Sequence, residues 1–387
     1  MQFPRTFNSM KEMQETNRTT VLRVLFAHDS PMTRGEIAQK TGLSAPTITR
    51  IVKELLKEKI VIEVGKLELM QGRNRELLQI DYDHIDVLGF EVNESFVHGV
   101  VCDLRGAIKV SFSDPVQDKK PQAIAESIKT ILDQIGQSGA RAANIIGVGL
   151  SISGIVAPEE QKVIHSGTMG WENIHVNDLF PPLGDMRIIV ENDANAALLG
   201  EVWVANIRDD EDVVYIVITE GAIGASLLVD GQLVRGSTMV AGEISHFPVE
   251  PNGKLCMCGN SGCFETYVSL KRLEKEFAEL STGNMKLIEA YKAGDELAQK
   301  FVIEAAQKMA TVIRSIIYLV NPGRIIIGGL WIEAGEIFLN LVLQQVQAHF
   351  SLGARHIPQF AYSKLHPHAG VLGAVGLVID EFFKYQS

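Results

Sequence analysis

Apolar positions first become periodic at NRTTVLRVLFAH, residues 17–28, where Val21, Leu22, Leu25 and Phe26 fall on one helical face behind polar capping residues. That spacing predicts a core helix. DSPMTR breaks it, after which Thr33 can cap a short helix through Lys40 with Ile37 and Ala38 turned inward, and Thr41-Gly42-Leu43-Ser44 supplies a tight turn. APTITRIVKELLKEK restarts the helical period with a proline in its first turn, and Ile48, Val52 and Leu55 take the buried side. Helix, glycine turn, helix is the helix-turn-helix signature. Ser44, Thr47, Thr49, Arg50 and Lys53 are left facing outward near the N-terminal half of the third helix, where a recognition helix meets base edges and phosphates.

The period then shortens to two. IVIEVGKLELMQGRNRELLQI alternates apolar and polar residues around a glycine and arginine tip, a pattern for two short strands forming a wing. Arg73 and Arg75 at that tip are placed to enter a minor groove or clamp phosphates. A small protein-interaction module with a solvated basic loop would use the same parts; the ordered combination of three helices, turn and basic wing favours DNA.

Beyond Asp81 strands and helices alternate. HIDVLGFEVNESFVHGVVCDLRGAI reads as two strands running into a third, a helix follows over 121–135, and NIIGVGLSISGIV reads as a strand. MRIIVENDANAALLGEVWVA is a strand feeding a helix, DVVYIVITEGAIGASLLVDGQLVRG is a strand pair, helices dominate 270–319, and RIIIGGL is a late strand. This is an α/β body, with ligands expected at strand ends in a cleft between two halves.

Charge separates head from body. Residues 1–80 hold 13 Lys+Arg against 9 Asp+Glu (+4), leaving 23 against 38 (−15) for the rest, so only the head suits a polyanion. The N-terminus lacks an apolar signal core and no apolar run spans a bilayer, so a cytoplasmic location and no membrane partner are expected. In that compartment clustered cysteines serve metals or redox chemistry more often than disulfides. Three of the four cysteines fall in CMCGNSGCFET, residues 256–266, and a metal site, a redox pair or buried thiols are the options. Cys102, in an apolar strand, reads as a core thiol, and His366 and His368, flanking a proline, as part of a solvated loop.

Taken together, these motifs resemble the ROK family, sugar-responsive repressors and sugar kinases built on an actin/hexokinase-like fold, over essentially the whole chain. The resemblance implies a winged helix-turn-helix over 1–80. It implies one lobe over 81–195, completed by a C-terminal helix at about 368–387, and a second over 196–367 bearing a zinc motif. In the family a His and the pattern C-x-C-G-x-x-G-C-x-E surround a structural zinc beside the sugar pocket; here these are His246, Cys256, Cys258, Cys263 and Glu265. Three thiolates and an imidazole form a closed set suited to structural Zn2+. By the same resemblance Asn192, Asp193, Glu243, His246 and Glu265 would hydrogen-bond sugar hydroxyls, although Ser245 replaces a family glycine.

Asp193 matches the general base of the family's kinases, but the phosphate loops depart from the kinase pattern. Glu91-Val92-Asn93-Glu94-Ser95 stands where kinases carry D-x-G-G-T, and Glu220 and Ala222 replace glycines of the second loop, so no catalytic residue is expected. Only Gly328 and Gly329 keep the nucleotide-side glycines, and Ser153-Gly154 and Gly167-Thr168 depart from the sugar-side pattern. The expectation is a sugar-responsive transcriptional repressor that binds operator DNA as a homo-oligomer, dimer or tetramer, with a carbohydrate effector in the cleft. An ATP-dependent sugar kinase with an accessory DNA-binding head, and a regulator controlled by a protein partner, are the alternatives.

Overall fold

The computed structural model describes residues 10–28, 30–67, 75–139, 144–181, 186–203, 211–220, 223–351 and 357–384. Three helices open the chain, α1 (Met10–Phe26), α2 (Arg34–Thr41) and α3 (Ala45–Lys57), followed by the antiparallel pair β1 (Val61–Leu67) and β2 (Arg75–Ile80). Local chemistry sets these boundaries. Thr33 and Glu36 form a reciprocal capping box at the start of α2, Gly42 ends it in the left-handed region at φ 70°, and Ser44 caps α3. Val21, Leu22, Leu25, Ile37, Ile48, Val52 and Leu55 are buried as the periodicity predicts, joined by Ile51, while Ala38 is only half-buried.

Phe26 departs from its expected role. It leaves the head's own core and meets Phe383 at 4.7 Å and Trp203 at 6.2 Å between ring centroids.

The next strands, β3 (Asp86–Val92), β4 (Phe96–Asp103) and β5 (Ile108–Pro115), are followed by α4 (Pro121–Gln137), β6 (Ile145–Ile152), the small antiparallel sheet β7 (Ile155–Ala157), β8 (Lys162–Ser166) and β9 (Trp171–His175), β10 (Ile188–Asn192) and α5 (Asp193–Trp203). The stretch that reads as one strand from Asn144 is thus broken at Ser153-Gly154 into β6 and β7. A five-stranded sheet forms in the order β10-β6-β3-β4-β5, with β3, β6 and β10 mutually parallel. Ile124, Ile128, Ile131 and Ile135, at helical spacing, bury α4 on one face of it.

A second five-stranded sheet, ordered β13-β12-β11-β14-β15, is built from β11 (Val213–Ile218), β12 (Ile223–Val229), β13 (Gln232–Leu233), β14 (Arg324–Gly329) and β15 (Gln359–Tyr362). Val214, Ile216 and Ile218 of β11 face a layer of helices that includes α6 (Glu265–Val268), α7 (Leu270–Leu280), α8 (Leu287–Lys292), α9 (Glu296–Val320) and α10 (Glu336–Ala348). Val213 and Tyr215 face α5 instead. The last helix, α11 (Ala369–Lys384), returns to the first sheet, where Val371 and Val375 join the core formed with Val87 and Val100. Head, first sheet and α11 share one apolar cluster, and Cys102 is wholly buried within it.

Candidate functional site

The cysteine segment is shaped by backbone pairing with the segment ahead of it. Pro248 bridges Cys263, Phe264 N donates to Phe247 O at 2.8 Å, and Glu265 N donates to Ser245 O at 2.9 Å, which carries His246 to the thiols. Gly262 is required here: its φ is 77° and a Cβ would lie 1.7 Å from Glu250 O. His246, Cys256, Cys258 and Cys263 offer ligand atoms within 4.8 Å of one another, an arrangement that could hold a metal ion. Cys256 Sγ is 3.6 Å from His246 Nδ1, Cys258 Sγ is 3.7 Å from Cys263 Sγ, and all the cysteines are free thiols. Cys258 N and Asn260 Nδ2 donate to sulfurs, at 3.3 and 3.5 Å.

Glu265 begins α6 and accepts from Cys256 Sγ at 2.9 Å, so it belongs to this cluster.

Across the cleft, Asn192 ends β10 and its side chain is largely committed to the fold. Its Oδ1 accepts from the backbone N–H of Ala194 and Asn195 at 3.0 and 3.1 Å, capping α5, and its Nδ2 donates to Gly154 O and Asp193 Oδ1, both at 2.9 Å. Asp193 follows at the first turn of α5. Burial pushes its carboxyl up to about 6; the Ala194 N–H opposes this, and Glu243 and Glu94 push it further. Glu243 is exposed as a residue, yet desolvation raises its carboxyl against the pull of His246 and His165. Among the expected carbohydrate residues, Asp193, Glu243 and His246 are therefore electrostatically coupled, and Glu265 reaches them through the cysteine cluster.

Sequence reasoning missed several participants. Glu191, only 2 % exposed at its side chain, accepts from Arg235 Nε at 2.8 Å and Nη2 at 2.5 Å, from Asn192 N at 2.9 Å and from Asn195 Nδ2 at 3.1 Å. Asn195 in turn accepts from Ser226 at 2.6 Å, tying β10, α5, β12 and the segment after β13 into one network. His165, paired with Glu172 at 2.7 Å, faces Glu243. These are single polar residues whose partners lie far along the chain, and no spacing marks them.

At the turn between β3 and β4, Asn93 Oδ1 accepts from Ser95 N at 2.9 Å and Phe96 N at 3.0 Å, closing the turn on itself. Glu91 is pushed up to about 7 by burial, with Asp193 adding to the effect and Asn93 opposing it. A cavity of about 340 Å3 lies here, lined by residues including Glu91, Glu94, Asp193, Tyr215 and Glu220. His366 also lines it, which corrects the expectation of a purely solvated loop.

In the head, Ser44, Thr49, Arg50 and Lys53 are exposed along α3, and Thr47 is half-buried. Ser44 Oγ and Thr47 Oγ1 lie 2.8 Å apart, Thr49 donates to Ala45 O at 2.9 Å, and Arg50 pairs with Glu54 at 3.0 Å. Arg75 stands exposed at the start of β2, while Arg73 lies outside the described residues.

Comparison with known proteins defines the class first: residues 15–62 match the winged helix-turn-helix DNA-binding model and residues 98–381 match the ROK family model. The chain belongs to the ROK family. It is 25 % identical to the xylose repressor of Caldicellulosiruptor bescii, covering 96 % of this chain and 98 % of that one, and 26 % identical to the xylose repressor of Bacillus subtilis, covering 96 % of each. The DNA-binding transcriptional dual regulator NagC of Escherichia coli is 22 % identical, covering 95 % of this chain and 93 % of its own. Among solved structures, a ROK family transcriptional regulator homologous to the E. coli MLC protein superposes with a TM-score of 0.83 at 19 % identity, covering 96 % and 97 % of the two chains. A ROK family glucokinase from Streptomyces griseus in complex with glucose and AMPPNP gives 0.64 at 23 % identity, covering 76 % of this chain and 98 % of its own. Both share the fold.

Proposed function

We propose that this chain is a carbohydrate-responsive transcriptional repressor that binds operator DNA through its winged head as a dimer or higher oligomer. Residues 1–80 form the head; 81–195, completed by about 368–387, and 196–367 form the two lobes. The observation that carries this reading is the course of α5. It runs for eleven residues from Asp193 in the cleft to Trp203, which stacks on Phe383 at 5.9 Å and 8° beside Phe26 of the head. A helix of that length spans about 16 Å, so an event at Asp193 is transmitted by one rigid element to the head's docking surface. A ligand biases the head only through unequal affinity for the two arrangements.

The carbohydrate reading of Asp193, Glu243, His246 and Glu265 is supported by the coupling of these groups around one cleft, and by relatives named for xylose and N-acetylglucosamine. Asn192 acts mainly by capping α5. On α3 and the wing, Ser44, Thr47, Thr49, Arg50, Lys53, Arg73 and Arg75 are the DNA contacts.

Zn2+ is the metal that the donor set fits. Tetrahedral bonds of about 2.3 Å to sulfur and 2.0–2.1 Å to nitrogen imply S–S edges of about 3.8 Å and S–N edges of about 3.6 Å. The sulfurs of Cys258 and Cys263 are 3.7 Å apart and Cys256 is 3.6 Å from His246. Such an ion supplies structural cross-linking, with no open position for chemistry.

A sugar kinase is the reading that Asp193 keeps alive, since its raised carboxyl suits a base. Against it stand Glu94 and Glu220 at the phosphate positions and the amides of Ser95 and Phe96, already bound by Asn93. A thermal-shift screen of monosaccharides, disaccharides and N-acetyl sugars, with and without Mg-ATP, tests both. Stabilisation by a sugar alone, followed by loss of operator binding in fluorescence anisotropy, is the expected result. Stabilisation by ATP with ADP formed over time would make the chain an enzyme.

A further inference from the structure

A second cavity, of about 330 Å3, lies where the head meets the body. Arg23 of α1 lines it together with Trp203 at the end of α5, Leu233 of β13, Arg235 just beyond that strand, and Asp380 of α11. Its volume falls at the small end of the range for ligand sites. Among the described residues that line it, none is Asn192, Asp193, Glu243, His246 or Glu265, so it is separate from the carbohydrate residues.

Two guanidinium groups line this one space, and both have donors to spare. Arg18, Arg34 and Arg50 elsewhere in the head each pair with a carboxylate. Arg23 is exposed, and among the described residues its guanidinium makes no hydrogen bond or ion pair. Arg235 is held to Glu191 through Nε and Nη2, at 2.8 and 2.5 Å, which leaves Nη1 without a partner among the described residues; its side chain is 36 % exposed.

The rest of the wall narrows the ligand further. Leu199, Leu228 and Leu233 supply carbon, and Leu199 and Leu233 pack in one cluster with Trp203. A sugar or a bare inorganic anion would leave that surface uncovered. Asp380, the one carboxylate on the wall among the described residues, already has an interaction partner, and its charge favours a ligand with a single negative charge over a phosphate dianion. Planar guanidinium groups match the two oxygens of a carboxylate.

We propose that this junction is a second small-molecule site, taking a carboxylic acid with an apolar body: the carboxylate bridges Arg23 of the head and Arg235 of the body, and the carbon frame lies on Leu199, Leu233 and Trp203. A ligand so placed ties α1 to the body at the end of α5, and so holds the head in its docked position. The site stands apart from the carbohydrate reading, since binding here needs none of the cleft residues.

Calorimetric titration of the full chain with benzoate, hexanoate and indole-3-acetate tests it, with benzamide as the uncharged counterpart and sodium chloride at matched ionic strength as the control. At least one carboxylate should bind saturably while benzamide and salt do not. R23Q should weaken that ligand by about tenfold, since it removes a charge-assisted contact, and R235K should weaken it by a smaller factor because the charge stays and the fork is lost. The bound carboxylate should also slow hydrogen exchange of the α1 amides in the parent and leave it unchanged in R23Q. Arg23 is exposed, so R23Q leaves the core intact; circular dichroism checks the fold, and R23Q alone serves if R235K is unstable. Absence of binding by all three carboxylates at millimolar concentration overturns the proposal, as does equal affinity in folded R23Q, equal binding of benzamide, or binding that leaves α1 exchange in the parent unchanged. Failure of the sugar screen would alter none of these outcomes.

Discussion

Replacing Arg235 by alanine strands a carboxylate. Glu191 has its Oε2 held by two guanidinium nitrogens at 2.8 and 2.5 Å and its Oε1 by two neutral donors at 2.9 and 3.1 Å. R235A removes the only cation among the described residues bound to this side chain and leaves Glu191, 2 % exposed, with the two neutral bonds. Removing one partner of a buried pair costs roughly 3–5 kcal/mol; Arg235 is 36 % exposed at its side chain, so water reaches part of the vacated site and the expected loss is about 2–3 kcal/mol. R235K keeps the charge but not the two-pronged geometry and should lose about half as much. E191Q/R235M removes both charges together and should recover most of the stability, because a paired deletion leaves no orphan.

Urea denaturation of the full chain, followed through the body's unfolding transition, measures all four proteins. A loss below about 0.5 kcal/mol in R235A, or a double variant no better than R235A, would show that the pair does not hold the strand end. Because Glu191 also receives the Asn192 amide, R235A should weaken carbohydrate binding in proportion.

Further outcomes follow from other sites. F26A removes two aromatic contacts of a half-buried ring, so head docking should weaken by about 2 kcal/mol; operator affinity measured by anisotropy without sugar should change less than the ratio of affinities with and without it, which should fall towards one. C258S or C263S should lose stoichiometric zinc by mass spectrometry and melt earlier, while C102S, outside the cluster, should retain it. Stability should also fall as pH rises. The carboxyls of Asp193 and Glu91 sit at about 6 and about 7 in the folded chain, against ordinary values of 3.8 and 4.5, so between about pH 4 and 7 the folded state holds protons that the unfolded state has released. E91Q should flatten that slope, gaining about 2 kcal/mol relative to the parent at pH 8 compared with pH 5.

The head was legible because each of its devices is local. Thr33 with Glu36, Gly42 and Ser44 mark helix ends within four residues, and buried positions of α3 recur at helical spacing. The cysteine cluster was legible for a similar reason: three of its four ligands lie within eight residues. Family resemblance supplied His246 and the cleft residues, whose separation in sequence leaves no pattern. What escaped was decided by contacts between distant segments. Phe26 scans as one more apolar residue on a core face, and only the approach of Trp203 and Phe383 reassigns it. Arg235 and Glu191 are 44 residues apart, so neither announces the other. His366 scans as loop, and its place on the cavity wall depends on where α11 begins.

The position of α11 also orders the protein's synthesis. The helix-turn-helix emerges from the ribosome first and contains a local core that can form at once. Its docking surface cannot, because Phe383 is made long after Phe26 and α11 supplies one face of the first sheet. Until α11 has been made, a nascent chain therefore carries a DNA-binding head on an unfinished body, with Phe26 and the inner face of β3 open to water. Premature termination anywhere before Ala369 would leave a polypeptide able to fold its reader of DNA but unable to connect it to the cleft.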